Sequence, residues 1–236
     1  MSSYRTQYSP QVGLGGRITP GVKALIIANV SVFVLQILVG QFGGRTDMEQ
    51  IFGLTPARVI HDRYLWQLVT YMFLHSTGWL SHLLLNMLML WMFGTEVERV
   101  WGTREFVKYY FLCGIGAAIT TCLLFPDGTT IGASGAIFGV MLAYGLMFPN
   151  RQILFWFIFP MRAISFVILC TGIELFSLLS LQDGVAHFAH LGGMLFGYLY
   201  LKRVWRLKQF WSGLNWRLRR RRFRVMRPED ENYPYH

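Results

Sequence analysis

Charge is what this chain has least of. Asp, Glu, Lys and Arg make up 14% of its 236 residues, and only 12 residues are acidic. Water-soluble globular chains carry roughly 25% charged residues, so an ordinary soluble protein is excluded. Hydrophobic residues reach 53% and the mean hydropathy is +0.38, which points to lipid as the covering solvent. Cysteine is also sparse. Cys113, Cys122 and Cys170 all lie in apolar stretches, and an odd number without turn context excludes a disulfide framework. They read as small buried apolar residues. No HExxH occurs, which removes the commonest helical zinc signature. A cleavable signal peptide is not expected either, because the first apolar run is too long for a signal core.

The charge that is present is unevenly placed. Of 22 Lys and Arg, 11 lie between Lys202 and Arg227, within a net charge of +10. This basic excess suits anionic lipid, or the fixing of topology, better than nucleic acid; nucleic-acid binding is not expected. Residues 1–21 are expected as a disordered tail, 22–202 as a membrane core and 203–236 as a basic amphipathic tail.

Hydropathy divides the core into six expected spans: 22–40, 81–100, 105–125, 134 to before Pro149, 162–181 and 185–202. A helix over 22–40 is about 30 Å long, enough to cross a bilayer. Residues 41–80 are too polar to cross yet rich in Trp and Tyr, so interfacial helices are expected there. A short interfacial piece is expected at 152–159. Lys and Arg collect at the N-terminus, at 99–108, at 151–162 and in the tail, whereas the turns at 126–133 and 182–184 have none. The positive-inside rule then puts both termini in the cytoplasm. The fold class expected is an all-α membrane protein.

Two glycine-flanked stretches carry the chemistry. Gly132-Ala133-Ser134-Gly135 opens the fourth span, and Ala189-His190-Leu191-Gly192-Gly193 lies in the sixth. Serine is a weak nucleophile until a base can take its proton, and histidine suits that task near neutral pH. The two must approach to about 2.6–3.2 Å. Gly135 and Gly139, and Gly193 and Gly197, repeat an i, i+4 spacing that lets helix backbones come close. His82 and Asn86 share one face of the second span and suit donation to an anionic intermediate. The N–H of Ser134 adds a helix N-terminus. Each feature has a plainer reading: GxxxG pairs usually only pack, serine in such helices usually bonds a carbonyl, and His82 and Asn86 would bond across helices. His75 and His187 have no assigned role. His187-x-x-His190 has no evident third ligand, so no metal is expected, and no cofactor.

Taken together, Gly132-Ala133-Ser134-Gly135, His82-x-x-x-Asn86 and Ala189-His190-Leu191-Gly192-Gly193-x-x-x-Gly197 resemble the motifs of rhomboid intramembrane serine proteases. Trp66-Gln67-Leu68-Val69-Thr70 through His75, and Gly94 with Glu96-Val97-Glu98, also look like rhomboid sequence. The resemblance covers roughly 22–200. It implies a bacterial-type six-transmembrane-helix bundle in an inner membrane, cleaving transmembrane proteins near where they enter the bilayer. It implies a Ser134–His190 dyad without an acid, with His82, Asn86 and the Ser134 N–H as oxyanion hole. Many members carry Arg where this chain has Gln67. Two alternatives stand beside the protease. A catalytically silent relative that binds membrane clients would typically lack the Ser or the His. A small transporter would place charged residues in its spans, whereas these candidate groups are neutral or titrate near pH 7.

Overall fold

A computed structural model describes residues 17–42, 45–125, 128–155, 159–179 and 187–203. Residues 1–199 form one compact unit and 200–236 a second, of which 200–203 are described, as helix. Most of the expected N-terminal tail, the 182–184 turn and nearly all of the basic C-terminal tail lie outside the described residues.

The helices are α1 (Pro20–Gln41), α2 (Arg45–Phe52), α3 (Pro56–His61), α4 (Gln67–Thr70), α5 (Leu80–Met89), α6 (Thr95–Trp101), α7 (Thr103–Leu124), α8 (Ser134–Met147) and α9 (Ala163–Leu179). Residues 187–199 complete the unit as α10. A π-helical turn at Leu90–Gly94 joins α5 to α6, so Leu80–Trp101 is one rod. That rod, α1 and α7 are each long and apolar enough to cross a membrane; α8 and α9 are shorter apolar helices. The first loop holds the short helices α2 to α4, as its mixed composition leads one to expect.

The fold is not purely helical. Two short strands, β1 (Gln152–Phe155) and β2 (Phe159–Arg162), pair antiparallel with Leu154 opposite Pro160. This corrects the all-α expectation, and it moves Arg162 out of the fifth span. Pro160 cannot continue a helix, and a two-stranded ribbon leaves its missing N–H on an open edge.

The packing is inside out relative to a soluble protein. On α1, Asn29 and Gln36 are buried while Ile27, Val34 and Leu38 are exposed. Exposed apolar residues also cover α9 (Ile168, Ile173, Phe176) and α10 (Leu195, Leu199). Such a surface is stable only against lipid. The chain is an integral membrane protein by composition, helix length and this surface.

Small residues let α7, α8 and α10 approach. A Cβ on Gly135 would stand 2.6 Å from the Ala117 Cβ, one on Gly139 2.4 Å from the Cys113 Sγ, and one on Gly197 2.5 Å from the Tyr109 Oη. Cys113 is fully buried at this contact, and all three cysteines are free.

One end of the unit is electrostatically tied. Glu98 accepts hydrogen bonds from the N–H groups of Gly21 and Val22, both at 2.8 Å, capping α1. Glu96 pairs with Arg151 at 2.6 Å and with Arg99. Arg99 also donates to the Arg17 carbonyl at 2.6 Å. Ser134 begins α8 and Arg151 follows its end, so the serine lies a helix length from this charged cluster.

Candidate active site

Ser134 is held by the loop that precedes it. Gly132 has φ +125°, a conformation glycine reaches freely, and its N–H donates to the Tyr71 carbonyl at 2.9 Å. Thr130 and Leu54 exchange two backbone hydrogen bonds, both 2.9 Å, which fastens this loop to the first loop. Tyr71 in turn donates its hydroxyl to Gly114 of α7 at 2.7 Å. The serine is thus fixed at the first residue of α8, where backbone N–H groups have no helical acceptor.

His190 comes from α10. Its Nε2 lies 2.7 Å from the Ser134 Oγ, hydrogen-bond distance across 56 residues of sequence. Phe138, one turn along α8 from Ser134, stacks on the imidazole with ring centroids 4.3 Å apart and planes 9° from parallel. The ring can tip little without losing that face. A hydroxyl beside an unprotonated ring nitrogen can lose its proton as it attacks a carbonyl carbon.

Both groups line a cavity of about 330 Å³, with His82, Asn86, Gly132 and Met141 among its walls. The His82 Nδ1 accepts from the Ser76 N–H at 3.4 Å, a long bond that leaves the proton on Nε2. That Nε2 points at the loop before Ser134, since a Cβ on Gly132 would sit 2.8 Å from it. Asn86 lines the same cavity, one helical turn beyond His82. Its amide donates to the His82 carbonyl of its own helix at 2.8 Å, a local side-chain-to-backbone bond. One amide hydrogen remains for the cavity it lines.

The two unassigned histidines acquire places. His75 is fully buried, and its backbone N–H and carbonyl are clasped by the Gln36 side chain at 2.9 and 3.1 Å. Burial first, then the neighbouring His82, pushes its imidazole down to about 4, against the opposing pull of a hydrogen bond to the Phe73 carbonyl. His187 places its Nδ1 2.6 Å from Glu174 Oε2.

Glu174 is the residue sequence reasoning missed. It stands on α9, buried, with Oε1 3.0 Å from the His190 Nδ1. The distance is that of an ion pair; the ring N–H is not aimed squarely at the oxygen, and Nδ1 has no other partner. The signal was available, since a lone carboxylate inside an expected span marks a functional candidate. Glu174, His187 and His190 bring three groups of metal-ligand type within 4.8 Å of one another. Both carboxylate oxygens, however, already face ring nitrogens.

Gln67, where the resembled motif often carries Arg, is bonded at both ends of its amide. It is fully buried, its amide donates to the Gln50 and Ile51 carbonyls at 3.0 and 3.2 Å, and its Oε1 accepts from the Thr55 N–H at 3.0 Å. An arginine has no acceptor for that last bond.

Known proteins resemble the chain over the same region. The family described as "Rhomboid domain" matches residues 62–207, which contain the site. RHOMBOID-like protein 7 of Arabidopsis thaliana is 26% identical over 81% of this chain and 70% of its own length. Rhomboid protein 1, mitochondrial, of Saccharomyces cerevisiae is 34% identical over 54% of this chain and 38% of its own. Rhomboid protease GluP of Bacillus subtilis is 30% identical over 66% of this chain and 30% of its own. The chain thus spans half or less of the length of several relatives it matches. A match over more than half of the chain, enclosing the serine, both glycine-lined helices and His82, is enough: the chain belongs to the rhomboid family.

Proposed function

We propose that this chain is an intramembrane serine endopeptidase that cleaves transmembrane proteins, with Ser134 as nucleophile and His190 as general base. The observation that carries the reading is the 2.7 Å approach of the two groups inside a cavity. Ser134 Oγ attacks the peptide carbonyl and its proton passes to the His190 Nε2. The oxyanion that forms is met by the His82 Nε2–H, the free Asn86 amide hydrogen and the backbone N–H of Ser134. His190 then returns the proton to the leaving amine, and water hydrolyses the acyl-enzyme by the same route in reverse. A substrate helix must unwind to present its peptide bond, which glycine in the substrate would ease.

The core is read as six spans: α1, the α5–α6 rod, α7, α8, α9 and α10. Helix α8 is about 21 Å long, short for a span, which suits a helix that starts beneath a cavity rather than at the bilayer surface. The clustering of Arg17, Arg99 and Arg151 supports a cytoplasmic end there, with Ser134 toward the other side. The bilayer is read as a bacterial inner membrane, and anionic lipid as a partner of the basic tail.

A fluorophosphonate probe and a single-span substrate test the reading. Ser134→Ala and His190→Ala should each abolish labelling and cleavage in a protein that still folds. Cleavage at the native rate by either variant would remove the assignment. An unreactive native chain would leave a client-binding relative.

A further inference from the structure

The resemblance implies a two-residue site, but the carboxylate behind His190 is not explained by it. Burying a carboxylate among apolar helices costs several kcal/mol unless it is paired and hydrogen-bonded. Here Glu174 is buried on α9 with Oε2 2.6 Å from the His187 Nδ1 and Oε1 3.0 Å from the His190 Nδ1. His190 is thus bracketed, with Ser134 Oγ at one ring nitrogen and a carboxylate at the other.

We infer that Glu174 is a positioning residue that completes a Ser134–His190–Glu174 chain, with His187 holding the carboxylate in place. The inference rests on the protease reading above. Neutral imidazole has two tautomers, and only the one protonated on Nδ1 leaves Nε2 free to take the serine proton. An anionic acceptor at Nδ1 selects that tautomer. When the serine proton arrives at Nε2 the ring becomes imidazolium, and the same carboxylate faces its positive charge. Glu174 itself gains no proton: the proton from Ser134 stays on Nε2 until the leaving amine takes it.

His187 explains why the carboxylate stays there. Its Nδ1–H donates to the second oxygen, so rotation of the carboxylate away from His190 breaks the shorter of the two contacts. The imperfect aim of the Nδ1–H is what a resting site shows, since catalytic hydrogen bonds tighten when substrate is bound.

The experiment uses the full chain in detergent, with a chelator present throughout, and compares Glu174→Leu, Glu174→Gln, Glu174→Asp and His187→Gln with the native protein. The readouts are kcat, KM, the rate constant of fluorophosphonate labelling and thermal unfolding. Glu174→Leu, an apolar replacement of similar size, removes both acceptors without leaving a charge unpaired. It should lower kcat and the labelling rate together by about 100-fold, the scale of a misdirected general base, with KM within about twofold. Glu174→Gln should fall less, because one amide oxygen can serve only one ring. Glu174→Asp should recover more activity than Gln, and His187→Gln should lose activity with Glu174 intact. Native kcat and labelling rate in Glu174→Leu would overturn the inference. So would a change confined to KM, or a loss that follows the folded fraction while each remaining site reacts at the native rate. Ser134→Ala run alongside separates the two levels: if it still cleaves, the protease reading has failed, whatever Glu174 does.

Discussion

Gly193→Ala adds one methyl group where α8 and α10 touch. The new Cβ would stand 1.9 Å from the Gly135 carbonyl oxygen and 2.7 Å from its carbon. Real Cβ atoms essentially never approach within 3.0 Å, and backbone atoms cannot rotate aside as a side chain would. The helices must therefore part by at least 1.1 Å, the difference between 1.9 and 3.0 Å. Gly193 lies one turn past His190 and Gly135 is the residue after Ser134, so the displacement falls on the reacting pair. Added to the 2.7 Å now separating Oγ and Nε2, it carries them to about 3.8 Å, beyond hydrogen-bond reach. A 1 Å misplacement costs about 100-fold in rate. Overpacking costs about 1–3 kcal/mol of stability, offset by about 1 kcal/mol from the helix preference of Ala over Gly. The comparison is Gly172→Ala on α9, where a Cβ meets nothing within 4 Å; only the propensity gain remains there. Labelling rate, kcat and thermal unfolding, measured on both variants in the same detergent, decide the matter. A Gly193→Ala protein that labels and cleaves at the native rate would refute the view that close helix approach sets the Ser–His distance.

Gly132→Ala forces a side chain onto φ +125° and to within 2.8 Å of the His82 Nε2; kcat should fall about 100-fold, the scale of one lost oxyanion donor, and a native kcat would free His82 from that role. Gln67→Ala orphans the Thr55 N–H and removes the donor from two carbonyls; it should cost about 2 kcal/mol, with Gln67→Arg costing less, and equal melting of the Ala and native proteins would contradict it. His75 is held neutral with its imidazole lowered to about 4, so the unfolded chain binds a proton first, near 6.5. Stability from this group should be constant above that value and fall by about 3 kcal/mol as pH drops from 6.5 to 4; a His75→Gln protein with the same acid slope of unfolding would dismiss His75 as its source.

The helical frame was legible because lipid imposes a coarse rule: long apolar runs must be helices. Ser134, His190, His82 and the paired glycines stood out as polar or small residues where lipid favours neither. Other features depended on partners far away in sequence. Residues 152–159 are as apolar as their neighbours, and only the register from Gln152–Arg162 to Phe155–Phe159 shows that β1 and β2 are strands. Asn86 sits on the expected face, yet its donation to the His82 carbonyl is a local choice that spacing does not reveal. Glu174 was readable as a lone acid in a span, but its meaning comes from α10, which supplies both histidines. Gln67 looked like a departure because sequence shows its lost charge and not its gained acceptor.

The positions of these groups within their helices explain how so few polar side chains suffice. Ser134 is the first residue of α8, His82 the third of α5, and His187 and His190 lie at the near end of described α10. The cavity that His82 and Ser134 both line brings the amino-terminal ends of α5 and α8 together. Each of these two ends carries roughly half a positive charge on unsatisfied N–H groups, and neither needs a Lys or Arg side chain in lipid. On the protease reading those two ends favour an oxyanion formed beside Ser134. The buried carboxylate of Glu174 is steadied by the ring nitrogens of His187 and His190. On the inference drawn above, the acid on α9 serves the imidazole of His190, and its removal should matter more to the proton transfer than to the fold.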